Sequence, residues 1–191
     1  MARKSAPDLP LLVDAFVQKI NSQPREPQSV DEVPAFLRTN AVADSLPESL
    51  DGWTGWHIVK CDNSARIDAL QNRTGKTFPP SFEYFLANYS FPAFEFGPIM
   101  FFANTGENTF WELRKRLFKD EHMSPHLLRA GFLQIGNPVF SNYDPACFDK
   151  SPRIEKRIVQ LDHEAILQHR EMNVVKEVAA SFVDFVHAAL R

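Results

Sequence analysis

Cysteine is nearly missing from this chain: Cys61 and Cys147 are the two in 191 residues. They stand far apart and in no metal-ligand spacing. That excludes a disulfide-stapled scaffold and a cysteine zinc site, and implies two free thiols in a reducing compartment. Glycine is scarce as well, 7 in all. No Walker loop, dinucleotide fingerprint or GxSxG elbow occurs, and a loop that cradles phosphate on bare backbone is hard to build from so few glycines. No run approaches the length of a membrane span. Arg3 and Lys4 precede an apolar stretch, but Pro10 and Asp14 interrupt it and no small-residue cleavage site follows. No signal peptide is read there, and a cytoplasmic location is expected. Charge of one sign is also lacking: 21 Lys and Arg against 24 Asp and Glu leave −3, with a pI near 6.1. A protein built to coat nucleic acid would be basic.

What the chain does have is the length for one domain with a real core, an ordinary 44% hydrophobic content, and 17 Phe against 3 Tyr. Phe carries no polar handle, so any Phe outside the core must serve a binding surface or loop packing.

Leu9, Leu12, Val13, Phe16 and Ile20 recur at helical spacing behind Asp8, a capping residue, and predict a short amphipathic helix. Residues 22–29 are polar and proline-bearing, and Pro34 and Pro47 prevent a long element before residue 50. Residues 1–50 therefore read as an N-terminal helical extension packed on the main body, with proline spacing better suited to an arm than to a core. Residues 51–191 read as the main domain.

Within that domain Trp56 to Lys60 reads as a strand. Asn63 or Ser64 caps a helix with Ile67 and Leu70 on its apolar face, stopped by Gly75. Pro79-Pro80 opens the clearest helix, striped by Phe82, Phe85, Leu86 and Tyr89. Residues 91–102 predict one or two strands broken at Gly97-Pro98, and residues 109–118 a helix. Short strands follow at Phe132–Ile135, Val139-Phe140, Ala146–Phe148 and Ile158–Leu161, and Ser181 starts a closing helix with Phe182 and Phe185 on its face. Helices early and strands late predict an α+β fold, a mostly antiparallel sheet with helices on one face. Phe82, Phe85, Leu86, Phe132, Phe148, Phe182 and Phe185 are the expected core.

Chemistry-bearing residues do not converge in the sequence. His122 and His126 are four apart, the spacing of two zinc ligands on a helix, but Pro125 lies between them and the HExxH glutamate is missing, so a solvated loop pair and no zinc are expected. His163 and His169 flank a helix six residues apart and read as charged surface. Cys147 lies between Asp144 and Asp149; nearby negative charge raises a thiol pKa, so it reads as a buried strand cysteine and not a nucleophile. The pairs Asp144 with Asp149 and Glu95 with Glu107 have no shared cleft visible in sequence. No enzyme activity and no cofactor are expected.

Several landmarks occur in a telling order. The helix with Ile67 and Leu70 leads to Phe78-Pro79-Pro80-Ser81-Phe82 and Tyr84-Phe85-Leu86. Gly131 to Gly136 follows, then Asn142-Tyr143-Asp144-Pro145 with Cys147-Phe148-Asp149. Ile158 to Glu164 precedes Ala180-Ser181-Phe182 and Phe185. Over residues 56–190 this order resembles the SUKH superfamily, which joins yeast cell-wall-assembly regulators of the Smi/Knr group to bacterial toxin-immunity proteins. Asn142-Tyr143 stands where that family commonly has a glycine-rich segment, and residues 1–50 have no counterpart in its minimal domain. The resemblance implies a non-enzymatic α+β scaffold. Its first implication is an immunity protein that binds and neutralises a toxin domain and its second a regulatory interaction scaffold; a hydrolase, which the resemblance does not imply, is the remaining alternative. The expected partner is a protein, with no direct nucleic acid and no membrane. Aromatic anchors and carboxylates in irregular segments are the expected binding residues: Trp53, Phe94, Glu95, Glu107, Tyr143 and Asp144.

Overall fold

The computed structural model describes residues 8–39, 52–105, 111–140 and 143–191. The first helix, α1, spans Leu9–Ser22, with Pro10 in its first turn, where a missing N–H leaves no bond unmade. Asp8 holds the cap position, although its side chain makes no capping bond. The helix packs on the main body, as expected of the N-terminal extension, and it goes deeper than proline spacing suggests. Leu12, Val13, Phe16, Val17 and Ile20 are buried in the main core, and Phe16 meets Phe85, Phe96, Phe182 and Phe185 edge to face. Pro10 lies in the first turn of α1, and Pro24, Pro27 and Pro34 follow the helix, so they leave its apolar face intact; Pro47 lies outside the described residues.

Gln28–Ser29 (β1) and Arg38–Thr39 (β2), the latter following a 3-10 turn at Ala35–Leu37, flank Trp53–Trp56 (β3) in a small antiparallel sheet. The strand expected over residues 56–60 is split. Trp56 pairs with Arg38, whereas Val59–Lys60 (β4) pairs with Tyr89–Ser90 (β5). At the changeover the Asn21 carboxamide stands in for a neighbouring strand: its Nδ2 donates to the Ile58 carbonyl and its Oδ1 accepts from the Ile58 N–H, both at 2.9 Å.

Helix α2, Ser64–Thr74, ends at Gly75 with φ +62, a left-handed conformation that costs glycine nothing. Asn63 holds the N-cap position but turns its side chain inward, towards Cys61 Sγ and Ser90 Oγ, and Asp62 accepts from the Ser64 N–H in its place. Helix α3, Pro80–Asn88, has no cap of its own. Glu155, distant in sequence, supplies one, accepting from the Ser81 N–H at 3.0 Å and from the Ser81 hydroxyl at 2.6 Å.

The main sheet is an antiparallel meander laid down in chain order: Phe94–Phe96 (β6), Ile99–Phe101 (β7), Leu133–Pro138 (β8), Ala146–Phe148 (β9), Ile158–Leu161 (β10) and Val174–Ala179 (β11). This gives the α+β class expected. Residues 139–140 form a turn and not a strand, and Phe140 is 96% exposed there. Helices α4 (Trp111–Phe118) and α5 (Ser124–Ala130) lie between β7 and β8, and α6 (His163–His169) between β10 and β11. Gly136 in β8 faces Phe101 so closely that a Cβ would run into the Met100 carbonyl oxygen.

Strand alternation divides the apolar residues. Phe148 and Ile158 enter the main core under α1, α3 and the closing helix α7 (Phe182–Leu190), whose Ser181 caps it through the Asp184 N–H. Their neighbours Cys147 and Val159 join Phe132, Leu161, Leu127 of α5 and Ile166 of α6 in a second, smaller cluster. All seven expected core residues are buried, Phe132 in the smaller cluster. Among the described residues no helix is long and apolar enough to cross a membrane.

Candidate functional site: a cleft beside the end strand and an exposed aromatic loop

Two places gather the residues that a partner would meet. The first is a cleft of about 400 Å³ between residues 23–32 and the β6–β7 hairpin. It adjoins a second cleft of about 720 Å³ that continues towards α4, and Gln28, Glu32 and Ala93 line both. The wall is held by the pairing of β1 with β3 and reaches the hairpin through Gln28 Nε2, which donates to the Ala93 carbonyl at 2.6 Å. Trp56, Phe94 and Met100 supply the apolar lining, and Arg25, Glu26, Glu32 and Glu95 the charge.

Arg25 has a structural task. Its Nε and Nη2 donate to the Ile20 carbonyl at the C-terminal end of α1, and its guanidinium lies 4.4 Å from the Trp56 ring centroid. Burial pulls its pKa down to about 10. Glu26, Glu32 and Glu95 are exposed and make no ion pair among the described residues. Trp56 is 4% exposed, and its indole Nε1–H has no acceptor among the described residues.

The second place is the loop from β8 to β9. Phe140 is 96% and Tyr143 75% exposed. Tyr143 holds φ +73, a left-handed conformation rarely adopted by a residue with a side chain. The next residue is anchored firmly. Asp144 Oδ1 accepts from the His163 N–H at 3.0 Å and meets His163 Nδ1 at 2.7 Å, while its Oδ2 accepts from Gln160 Nε2 at 2.7 Å. The Tyr143 ring lies 6.1 Å from the His163 ring.

Asp144, Asp162 and His163 could each offer a metal one ligand atom, within 4.8 Å of one another. Several of their atoms are already engaged: both Asp144 oxygens accept hydrogen bonds, His163 Nδ1 meets Asp144, and Asp162 Oδ1 caps α6 through the Glu164 and Ala165 N–H groups. The cluster as built is a latch between the β8–β9 loop and α6.

The sequence candidates therefore separate. Trp53 is 46% exposed at the start of β3 and Glu95 is exposed in the cleft, both open to a partner. Phe94 is corrected to core: it is 2% exposed and stacked on Phe101, because β6 turns alternate residues inward. Tyr143 is open, whereas Asp144 is a partly buried anchor behind it. Glu107 lies outside the described residues. Asp144 and Asp149 are engaged separately, Asp144 with His163 and Gln160 and Asp149 with Arg157. Asp149 is buried, and although burial pushes its carboxyl up, the Arg157 guanidinium at 2.7 Å and Ser151 outweigh that and hold it below the usual carboxylate range.

His163 is not merely charged surface, since Asp144 holds it. No sequence spacing marks that contact. Phe140 was also missed as an exposed residue, having been read into a strand. His122 sits in the turn before α5 and His126 within it; burial lowers the His126 pKa, as do the charges of Arg170 and Arg129, which also oppose a dication there. Cys147 is fully buried, and burial, not the neighbouring aspartates, pushes its thiol up. Both cysteines are free. No protein-family model, curated protein or solved structure matches the chain.

Proposed function

We propose that this chain is a non-enzymatic protein-binding module of the immunity type, whose partner is a toxin domain. One observation carries the binding reading. In a chain that sinks most of its phenylalanines into the core, Phe36 at 59% exposure being another exception, Trp53, Phe140 and Tyr143 stand 46%, 96% and 75% exposed in or beside irregular segments. Exposed large aromatics at loops are the side chains that become interface anchors. The latch at Asp144 supports the same reading, because it pre-sets the loop that carries Tyr143 and so lowers the ordering cost of binding. The ordered landmarks shared with the SUKH superfamily favour a toxin as the partner, with a regulatory scaffold as the second form of the same binding activity.

The test is to replace Trp53, Phe140 and Tyr143 with alanine and to measure binding to any toxin domain whose gene is found to neighbour that of the protein. Each variant keeps its thermal stability, loses about 2 kcal/mol of binding per anchor, and fails to protect cells that express the toxin. Folded variants that protect as well as the wild type would remove this face from the reading. Turnover of a substrate by the wild-type chain alone would end the non-enzymatic reading altogether.

A further inference from the structure

The smaller cleft has a chemistry of its own. Three exposed carboxylates, Glu26, Glu32 and Glu95, line it without an ion pair among the described residues, against one guanidinium, Arg25, already spent on the Ile20 carbonyl and the Trp56 ring. Trp56 lines the same cleft at 4% exposure, with an indole N–H that finds no acceptor among the described residues. A buried donor left unpaired is costly, and an acceptor brought by a bound molecule would relieve that cost. The cleft also runs along β6, the end strand of the six-stranded sheet, whose outer edge pairs with no other strand among the described residues. An open strand edge is a template for extended backbone.

We propose that this cleft receives an extended segment of the partner that carries a lysine or arginine. The basic side chain pairs with Glu95 and Glu32, a backbone carbonyl accepts from Trp56 Nε1, and the aliphatic stem of the side chain lies against Met100 and Trp56. The assignment rests on the binding-module reading and adds the chemistry of the partner to it. Glu95, which lies directly across the hairpin from Met100, is the specificity-determining residue: exchanging its charge changes which segments bind, without disturbing the core. Trp56 lines the cleft, so the resonance of its indole N–H reports occupancy of the cleft.

The experiment titrates the full 15N-labelled chain with Ac-Gly-Gly-Arg-Gly-Gly-amide, with its lysine counterpart and with its glutamate counterpart. The indole N–H of Trp56, identified by its disappearance in Trp56→Phe, and the amides of Glu95 and Met100 are followed. Both basic peptides shift these resonances saturably, the glutamate peptide does not, and the double variant Glu32→Gln, Glu95→Gln weakens the basic peptides by about tenfold or more. Both glutamates are exposed, so the double variant keeps the wild-type spectrum outside the cleft. Absence of saturable shifts, equal shifts with the glutamate peptide, or unchanged affinity in the double variant would each overturn the assignment. The alanine variants of Trp53, Phe140 and Tyr143 judge the binding reading independently, so the two failures are told apart.

Discussion

Two phenylalanines of identical chemistry, Phe85 and Phe140, differ in surroundings about as far as the chain allows. Phe85 is 0% exposed, and its ring meets Phe16 of α1, Phe82 and Tyr89 at either end of its own helix, Phe91 at 4.6 Å and Phe182 of α7. Phe140 is 96% exposed. Truncating a buried Phe to alanine costs about 3–5 kcal/mol, more where the cavity cannot collapse. Here the cavity walls are rings anchored in α1, α3, α7 and the segment at Phe91, which cannot all move in together, so Phe85→Ala falls towards the upper end of that range. With a urea m-value of about 2 kcal/mol/M the midpoint drops by about 2 M. Phe140→Ala changes stability by no more than about 0.5 kcal/mol. Equilibrium urea unfolding followed by far-UV circular dichroism measures both. A loss below about 2 kcal/mol for Phe85→Ala at unchanged m, or equal losses for the two variants, would refute the proposed core.

Asp149 provides a pH test. Its folded-state pKa is depressed by Arg157 and Ser151, so the stability it confers is present above the unfolded-state value and is lost as pH falls through the folded one. The difference in unfolding free energy between wild type and Asp149→Asn is therefore full near neutrality and shrinks below about pH 4; a difference that grows on acidification would contradict the pairing. Thiol labelling supplies another check. Cys147 is fully buried with its thiol pushed up, so in a Cys61→Ser background native protein stays unlabelled by a disulfide reagent at pH 8 and reacts once denaturant is added. Rapid labelling of native Cys147 would place it outside the core.

Much of the fold was legible because its signals are local. The stripe of Phe82, Phe85 and Leu86, the stop at Gly75 and the Ser181 cap depend on residues a turn apart, and the model realises each of them. The aromatic hairpin broken at Gly97-Pro98 was legible for the same reason. Segments whose burial is atypical escaped. Strand β11 is an edge strand with Val174 and Val175 exposed and register shifts against β10, so it carries no clean alternation. Helix α5 has only seven residues, too short for a periodic stripe.

The candidate site was less legible, because exposure is decided by what packs opposite. Phe94 and Tyr143 both looked like aromatics in turn-rich sequence, yet β6 turns Phe94 into the core while the β8–β9 loop leaves Tyr143 in solvent. Periodicity does not say that Asn21 completes Ile58, that Glu155 caps α3, or that Asp144 holds His163. Each joins groups separated by many residues, and each exists because the chain returns to the same place in space. The sequence by itself determined the composition of the core, the class of the fold and the residues able to serve as anchors. Only the tertiary structure decided which anchors face water, which carboxylates share a cleft with Trp56, and which are spent holding the chain together, since those outcomes depend on long-range packing and not on local pattern.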